Sequence, residues 1–266
     1  MNVKTIDFSK YSSIRIGPVV EVAVIENDVV PAGRYIVGSA NNLLVSPTPP
    51  PLMVLSKEYD FIRTDSGRLF IGAATPGGRV VSFCKKNDIA HFEYLSKLPG
   101  TVGGMIKMNA GLKEYEIFNH LIAVRTARGW IRKEEIEYGY RYTSIRDVVF
   151  EAAFELEKGF STERLEMFAG MRANQPGDPS AGSCFKNPPG DYAGRLIEAV
   201  GLKGKRVGGM AFSEVHANFL VNTGGGTYEE AMALIHDAQN RVREAFGIEL
   251  QCEVVILDAS VLTKKQ

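Results

Sequence analysis

Gly182-Ser183-Cys184-Phe185-Lys186-Asn187-Pro188 is the stretch on which the reading of the fold turns. A serine beside a glycine suits a turn. Cys184 has no His or Asp paired with it to lower its pKa, so it reads as a small packed side chain rather than a nucleophile. Upstream, a helix opens at Ser161-Thr162-Glu163 and continues through Leu165, Phe168, Ala169 and Met171. Asn174-Gln175-Pro176-Gly177-Asp178-Pro179 stops it, because prolines cannot extend the hydrogen-bond ladder. Downstream come Ala193-Gly194-Arg195-Leu196-Ile197-Glu198, Gly201-Leu202-Lys203-Gly204 and Val215-His216-Ala217-Asn218-Phe219-Leu220-Val221-Asn222.

The strongest helix signature covers residues 227–246. Thr227 and Glu230 form a capping box, apolar residues recur at Ala231, Leu234, Ile235, Ala238, Val242, Ala245 and Phe246, and Gly247 supplies the stop. Beyond it Ile248, Leu250, Cys252 and Val254 alternate with Glu249, Gln251, Glu253 and Val255, the period of a strand. Toward the N-terminus, residues 19–25, 35–37, 43–45, 52–55, 59–63 and 69–73 read as strands, the last two joined by the turn Thr64-Asp65-Ser66-Gly67. Pro47-Thr48-Pro49-Pro50-Pro51 cannot supply a ladder of donors and marks a boundary before Leu52. Val80, Val81, Phe83 and Cys84, following Pro76, predict a helix over 79–87. Residues 120–125 and 130–136 flank Ala127-Arg128-Gly129 as a second hairpin, and 148–156 form a further strand. The chain thus divides into 1–51, 52–158 and 159–266.

Two stretches carry the backbone freedom that ligand loops need. Leu98-Pro99-Gly100-Thr101-Val102-Gly103-Gly104 places three glycines in five positions, and Asn109-Ala110-Gly111 follows closely. Runs of this kind let backbone N–H groups approach a phosphate, and they serve equally well as tight surface turns. The pattern is neither the Rossmann nor the P-loop fingerprint. Gly38-Ser39-Ala40-Asn41-Asn42-Leu43 is a second small-polar loop of the same ambiguity.

Bulk properties narrow the class. The 266 residues are 45% hydrophobic and 23% charged, with 31 basic against 31 acidic side chains, the profile of a globular protein. A balanced charge gives no field to steer a polyanion, and no apolar run approaches a membrane span, so neither nucleic acid nor membrane is an expected partner. Cys84, Cys184 and Cys252 are odd in number without metal spacing, and Met-Asn-Val-Lys leads into polar sequence; a reducing cytoplasm is expected. His91, His120, His216 and His236 show no metal-ligand spacing, and no metal site is predicted.

Taken in order, the 182–188 heptapeptide, its flanks, Asn42-Leu43-Leu44-Val45, residues 98–111, Tyr140-Arg141 and the terminal Leu250-Gln251-Cys252-Glu253-Val254 resemble the UDP-N-acetylenolpyruvylglucosamine reductases over nearly the whole chain. The resemblance implies an α+β, three-domain flavoprotein: vanillyl-alcohol-oxidase-like FAD-binding parts at 1–51 and 52–158, and an α+β substrate domain at 159–266. It implies non-covalent FAD on Gly38, Ser39, Ala40, Asn41, Asn42 and Leu43 and on Pro99, Gly100, Thr101, Gly103, Gly104, Asn109, Ala110 and Gly111. NADPH is the implied co-substrate and a UDP-sugar the implied substrate, in a cytoplasmic monomer. Ser183 follows Arg141 by only 42 positions, as in the shorter subgroup that lacks an inserted tyrosine loop. The chain departs from the family in the low glycine content of Gly38-Ser39-Ala40-Asn41, in Thr143 where serine is usual, and in having no lysine at 174–176.

Reducing an enolpyruvyl double bond requires a hydride, stabilisation of a growing enolate and a proton on the adjacent carbon. Flavin chemistry supplies the first. By family correspondence Arg141 holds the substrate carboxylate with a permanently charged fork, Ser183 delivers the proton and Glu253 assists from the other side. The resemblance also points to Lys203 near the diphosphate and to Tyr140, Asn187, His216 and Asn218 around the substrate. Each residue taken singly has a plainer reading: a solvated surface charge for Arg141 beside Glu135 and Glu137, a turn residue for Ser183, an exposed strand face for Glu253. Other flavin oxidases, or a nucleotide-sugar-binding flavoprotein without catalysis, are the competing functions.

Overall fold

A computed structural model describes residues 2–265. They fold into two compact units, each assembled from separated stretches. One comprises residues 2–4, Val22–Ser39 and Leu52–Ala173; the other comprises Thr5–Glu21, Ala40–Pro51 and residues 174–265. The change of unit at 51/52 falls at the end of the proline segment.

The first unit is built on a five-stranded antiparallel sheet in the order Gly129–Arg132, Leu121–Thr126, Val149–Glu155, Arg68–Gly72, Ile62–Asp65. Its central strand, Val-Phe-Glu-Ala-Ala-Phe-Glu, is buried along six of its seven residues, as a strand covered on both faces must be. The buried carboxylate of Glu151 within it is held by Arg63 at 2.6 Å and Arg125 at 3.0 Å, which offsets the cost of burying its charge. The hairpin between Ile62–Asp65 and Arg68–Gly72 turns through Ser66 and Gly67. Both have positive φ (49° and 73°), the two-residue geometry whose twist matches that of the strands. Helix Gly77–Asn87 buries Val80, Val81 and Cys84 and ends on Asp88 in the left-handed region. Val22–Ile25 and Tyr35–Ile36 both pair in parallel with Leu52–Leu55.

The second unit carries the antiparallel order Ser180–Ser183, Phe219–Asn222, Met210–Phe212, Arg206–Val207. Helix Tyr228–Phe246 buries Ala231, Leu234, Ile235, Ala238 and Val242 in one core with Met210, Phe212 and Leu220. Its capping box forms as predicted, and Gly247 ends it at φ 68°. Leu43–Val45 pairs in parallel with Val255–Leu257. The fold is α+β. No helix among the described residues is long and apolar enough to cross a membrane.

Several local expectations change. The strand expected at 130–136 ends at Arg132, and Lys133–Glu135 form a 3-10 turn. Strand Asn2–Asp7 was not anticipated. Residues 57–59 form a 3-10 turn, and the strand expected at 59–63 runs instead over Ile62–Asp65. The glycine-rich stretch contains a helix, Val102–Lys107, because the bare Gly103 lets it pack against Ala73. The alternation at 248–254 is not a ladder strand. Its backbone pairs with residues 184–186 through Lys186 N–H to the Gln251 carbonyl and Glu253 N–H to the Cys184 carbonyl, both 2.9 Å.

Candidate active site

In the second unit, Ser183 ends its strand opposite Phe219, and the register shifts between Ser180 and Ser183. Gly182 sits within that shift at φ 80°, a conformation open to glycine that redirects the following side chain. One residue on, the Cys184 carbonyl accepts from Glu253 N–H at 2.9 Å and from Val254 N–H at 3.3 Å. The fold therefore brings the predicted proton donor and the predicted carboxylate residue onto adjoining backbone. The Asn42 amide donates to the Glu253 carbonyl at 3.0 Å, and Val255 N–H donates to the Asn42 carbonyl at 3.0 Å. Burial, then Cys252 and Glu253, push the Cys184 thiol well above its ordinary range, so it stays protonated and unreactive.

Asn218 is buried, and its amide is committed to one neighbour: Nδ2 donates to the Phe185 carbonyl at 2.8 Å and Oδ1 accepts from Phe185 N–H at 3.0 Å. It shapes the segment after Ser183. Asn187 Oδ1 accepts from the N–H of Ala193, the first residue of helix Ala193–Ala199. His216 Nδ1 accepts from Asn218 N–H at 3.2 Å, which leaves the proton of the neutral ring on Nε2. Its pKa is lowered, first by burial and further by the Lys203 charge. Lys203 is exposed and pairs with Glu198 at 3.0 Å.

In the first unit, Tyr140 and Arg141 form the two-residue turn between the paired strands Tyr138–Gly139 and Tyr142–Thr143. Arg141 has φ 55°, a left-handed backbone that an arginine rarely adopts. Its guanidinium donates to the Gly111 carbonyl at 3.3 Å and lies 5.0 Å from the Tyr140 ring. The glycine-rich stretch grips this turn from behind. Asn109, fully buried at φ 44°, donates to the Gly139 carbonyl (3.1 Å) and to Glu116 Oε2 (2.7 Å), and Thr143 Oγ1 donates to the Lys107 carbonyl at 3.4 Å. Sequence reasoning passed over Arg172, just past helix Thr162–Met171. Burial and then the charge of Arg141 lower its pKa, so the two guanidiniums feel each other here. Its position four residues after the buried Phe168 was the available signal.

Within the first unit, Gly38 of one predicted cofactor loop approaches Thr101 of the other. A Cβ on Gly38 would lie 2.9 Å from Thr101 Oγ1, and one on Gly103 would lie 2.9 Å from the Ala73 Cβ. Gly100 accepts from Gly77 N–H, and Val102 and Gly103 donate to Thr75 and Ala73. Gly104 is exposed, and a Cβ there would meet nothing closer than Thr101 Oγ1 at 3.7 Å. Pro99 is exposed, while Ala110 and Gly111 are buried. Of the first loop, Gly38 and Ser39 belong to the first unit and Ala40, Asn41, Asn42 and Leu43 to the second. Ala40 holds φ 51° and accepts from Ser13 N–H. The Leu43 side chain is buried, so only its backbone is open to a ligand role.

A reductase of Helicobacter hepaticus, named UDP-N-acetylenolpyruvoylglucosamine reductase, is 45% identical over 262 residues, covering 97% of this chain and all of its own length. The chain belongs to the UDP-N-acetylenolpyruvoylglucosamine reductase family. The family's C-terminal domain matches residues 175–257, a span that includes Ser183, His216, Asn218 and Glu253. The identically named protein of Campylobacter jejuni (strain RM1221) is 45% identical across 95% of this chain and 99% of its own. The crystal structure of UDP-N-acetylenolpyruvylglucosamine reductase from Thermus caldophilus superposes with a TM-score of 0.84 at 29% identity, covering 96% of this chain and 99% of that one.

Proposed function

We propose that this chain uses NADPH and FAD to reduce the enolpyruvyl ether of UDP-N-acetylglucosamine to UDP-N-acetylmuramate, a step of peptidoglycan synthesis. The observation that carries this reading is its near full-length identity to reductases of that name. The backbone tie between Cys184 and Glu253, which adjoins Ser183 to the carboxylate residue, agrees with it.

The chain suits a flavin. Gly38 stands where one candidate loop approaches Thr101 of the other, and Gly104, exposed beside Thr101, has no side chain to keep a ligand away. Gly38, Ser39 and residues 99–104, all of the first unit, would hold the group through backbone atoms. When bound, FAD supplies the hydride chemistry that no side chain can perform.

Arg141, aided by Arg172, holds the substrate carboxylate and opposes the charge that grows on it, an interaction that strengthens toward the transition state. Ser183 gives its hydroxyl proton to the substrate carbon and regains one from solvent. Glu253 orients the substrate. His216, with the proton of its neutral ring on Nε2, donates to the sugar or base, and Lys203 attends the diphosphate. Asn187, capping helix Ala193–Ala199, and Tyr140, beside Arg141, border the substrate. We assign the FAD roles to 1–51 and 52–158 and the substrate role to 159–266, in a cytoplasmic monomer.

The test is spectroscopic. Purified protein is expected to be yellow, bleached anaerobically by NADPH, and reoxidised on addition of the enolpyruvyl UDP-sugar. Flavin that stays reduced in the presence of that sugar would overturn the reading.

A further inference from the structure

Four residues outside the site above converge at one end of the five-stranded sheet: His91, just after helix Gly77–Asn87; His120, preceding strand Leu121–Thr126; and Glu155 and Glu157, at and beyond the end of strand Val149–Glu155. The two imidazoles stack with centroids 3.8 Å apart and planes 13° from parallel. His91 Nε2 lies 2.9 Å from Glu157 Oε2, and His120 Nδ1 lies 3.0 Å from Glu155 Oε2. One donor atom from each of His91, His120 and Glu157 falls within 4.8 Å of the other two.

We propose that His91, His120 and Glu157 bind one divalent transition ion of the zinc class, with Glu155 orienting His120. Two imidazoles and a carboxylate form a donor set that suits such an ion, with a water completing the tetrahedron. Bond lengths of about 2.0–2.2 Å require the donors to close in by roughly 1 Å and the stacked rings to turn so that their in-plane lone pairs converge, side-chain movements that their partial exposure permits. Glu155 on His120 Nδ1 leaves Nε2 with its lone pair free, the carboxylate–histidine–metal relay that raises ligand basicity.

Backbone pairing fixes the arrangement. Ala90 N–H donates to the Glu157 carbonyl at 2.9 Å, Glu155 N–H donates to the His120 carbonyl at 3.0 Å, and Ile89 bridges Lys158. His91 is held at φ 78°, a left-handed backbone that histidine adopts more readily than most side chains. A bound ion would clip together three segments of the first unit. The proposal reverses the sequence-level expectation of no metal site and is independent of the reductase reading.

Untagged, flavin-loaded protein, stripped of metal with a chelator, is titrated with Zn2+ by calorimetry and with Co2+ by absorption. One equivalent binding at micromolar affinity or tighter is expected. His91→Asn, which suits the left-handed backbone, and His120→Asn should each weaken binding at least tenfold while retaining flavin and circular dichroism. His236→Asn, on an exposed helix face, and Cys252→Ser should bind as the parent does. Absence of 1:1 binding at micromolar concentration, loss of less than tenfold in either histidine variant, or loss in the Cys252 variant overturns the proposal.

Discussion

The side-chain amide of Asn42 donates to the main-chain carbonyl of Glu253 at 3.0 Å, joining positions 211 residues apart. Removing the donor takes this bond from a half-buried carbonyl. Asn42→Ala and Asn42→Asp should each lower stability by about 1–2 kcal/mol, read from the urea midpoint. A parental midpoint in both would mean that this bond holds nothing.

Ser183→Ala removes the hydroxyl and keeps the backbone path of the strand. Reduction of the flavin by NADPH should proceed at the parental rate, while reoxidation by the enolpyruvyl UDP-sugar slows by about a hundredfold or more. Stopped-flow absorbance separates the two halves, and equal slowing of both would remove Ser183 from its role.

Arg141 occupies a turn position where glycine is the natural choice. Arg141→Gly should be more stable than Arg141→Ala by about 1 kcal/mol, because only the first relieves the backbone. Both should slow the sugar-dependent half-reaction by about a thousandfold. Equal melting temperatures would show that the turn is unstrained; parental turnover in either would dismiss Arg141 as the carboxylate clamp.

Gly103 and Gly104 are neighbours in one helix with opposite surroundings. A methyl at Gly103 would press on Ala73 at 2.9 Å and its carbonyl at 3.1 Å, whereas Gly104 is open. Gly103→Ala should cost about 1–3 kcal/mol. Gly104→Ala should gain up to about 1 kcal/mol from helix propensity yet hold FAD more weakly, as equilibrium dialysis would report. Undiminished FAD affinity in Gly104→Ala would take that backbone out of the cofactor site.

His216 should titrate below its ordinary value of 6.5, because burial and Lys203 disfavour its charged form. The unfolded chain binds more protons than the folded one between the lowered pKa and 6.5, so stability falls as pH drops through that window and is unaffected above it. Lys203→Met should raise the midpoint seen by NMR. A midpoint above 6.5 in the parent protein contradicts the burial argument.

Signals carried by adjacent residues were readable in the sequence. The capping box of Thr227 and Glu230 and the stop at Gly247 define helix Tyr228–Phe246 within a single segment, and Ser66-Gly67 defines its hairpin in the same way. Where distant partners decide, the sequence was silent or misleading. Glycines at 103 and 104 argue against a helix, and packing on Ala73 overrides them. The alternation at 248–254 correctly reports that Leu250 and Val254 face inward, but not that the backbone partner is the segment after Ser183. Nothing local reveals that the Asn109 side-chain amide donates to Glu116 and to the Gly139 carbonyl. His91 and Glu157, 66 positions apart, meet only because the end of one helix pairs with the end of a strand.

Pairing of Leu43–Val45 with Val255–Leu257 has a consequence for biosynthesis. Translation delivers the first of these strands more than two hundred codons ahead of its mate. The half of the molecule bearing Ser183 and Glu253 therefore closes only after Val255–Leu257 has been made, and until then the Leu43-Leu44-Val45 edge has no partner strand.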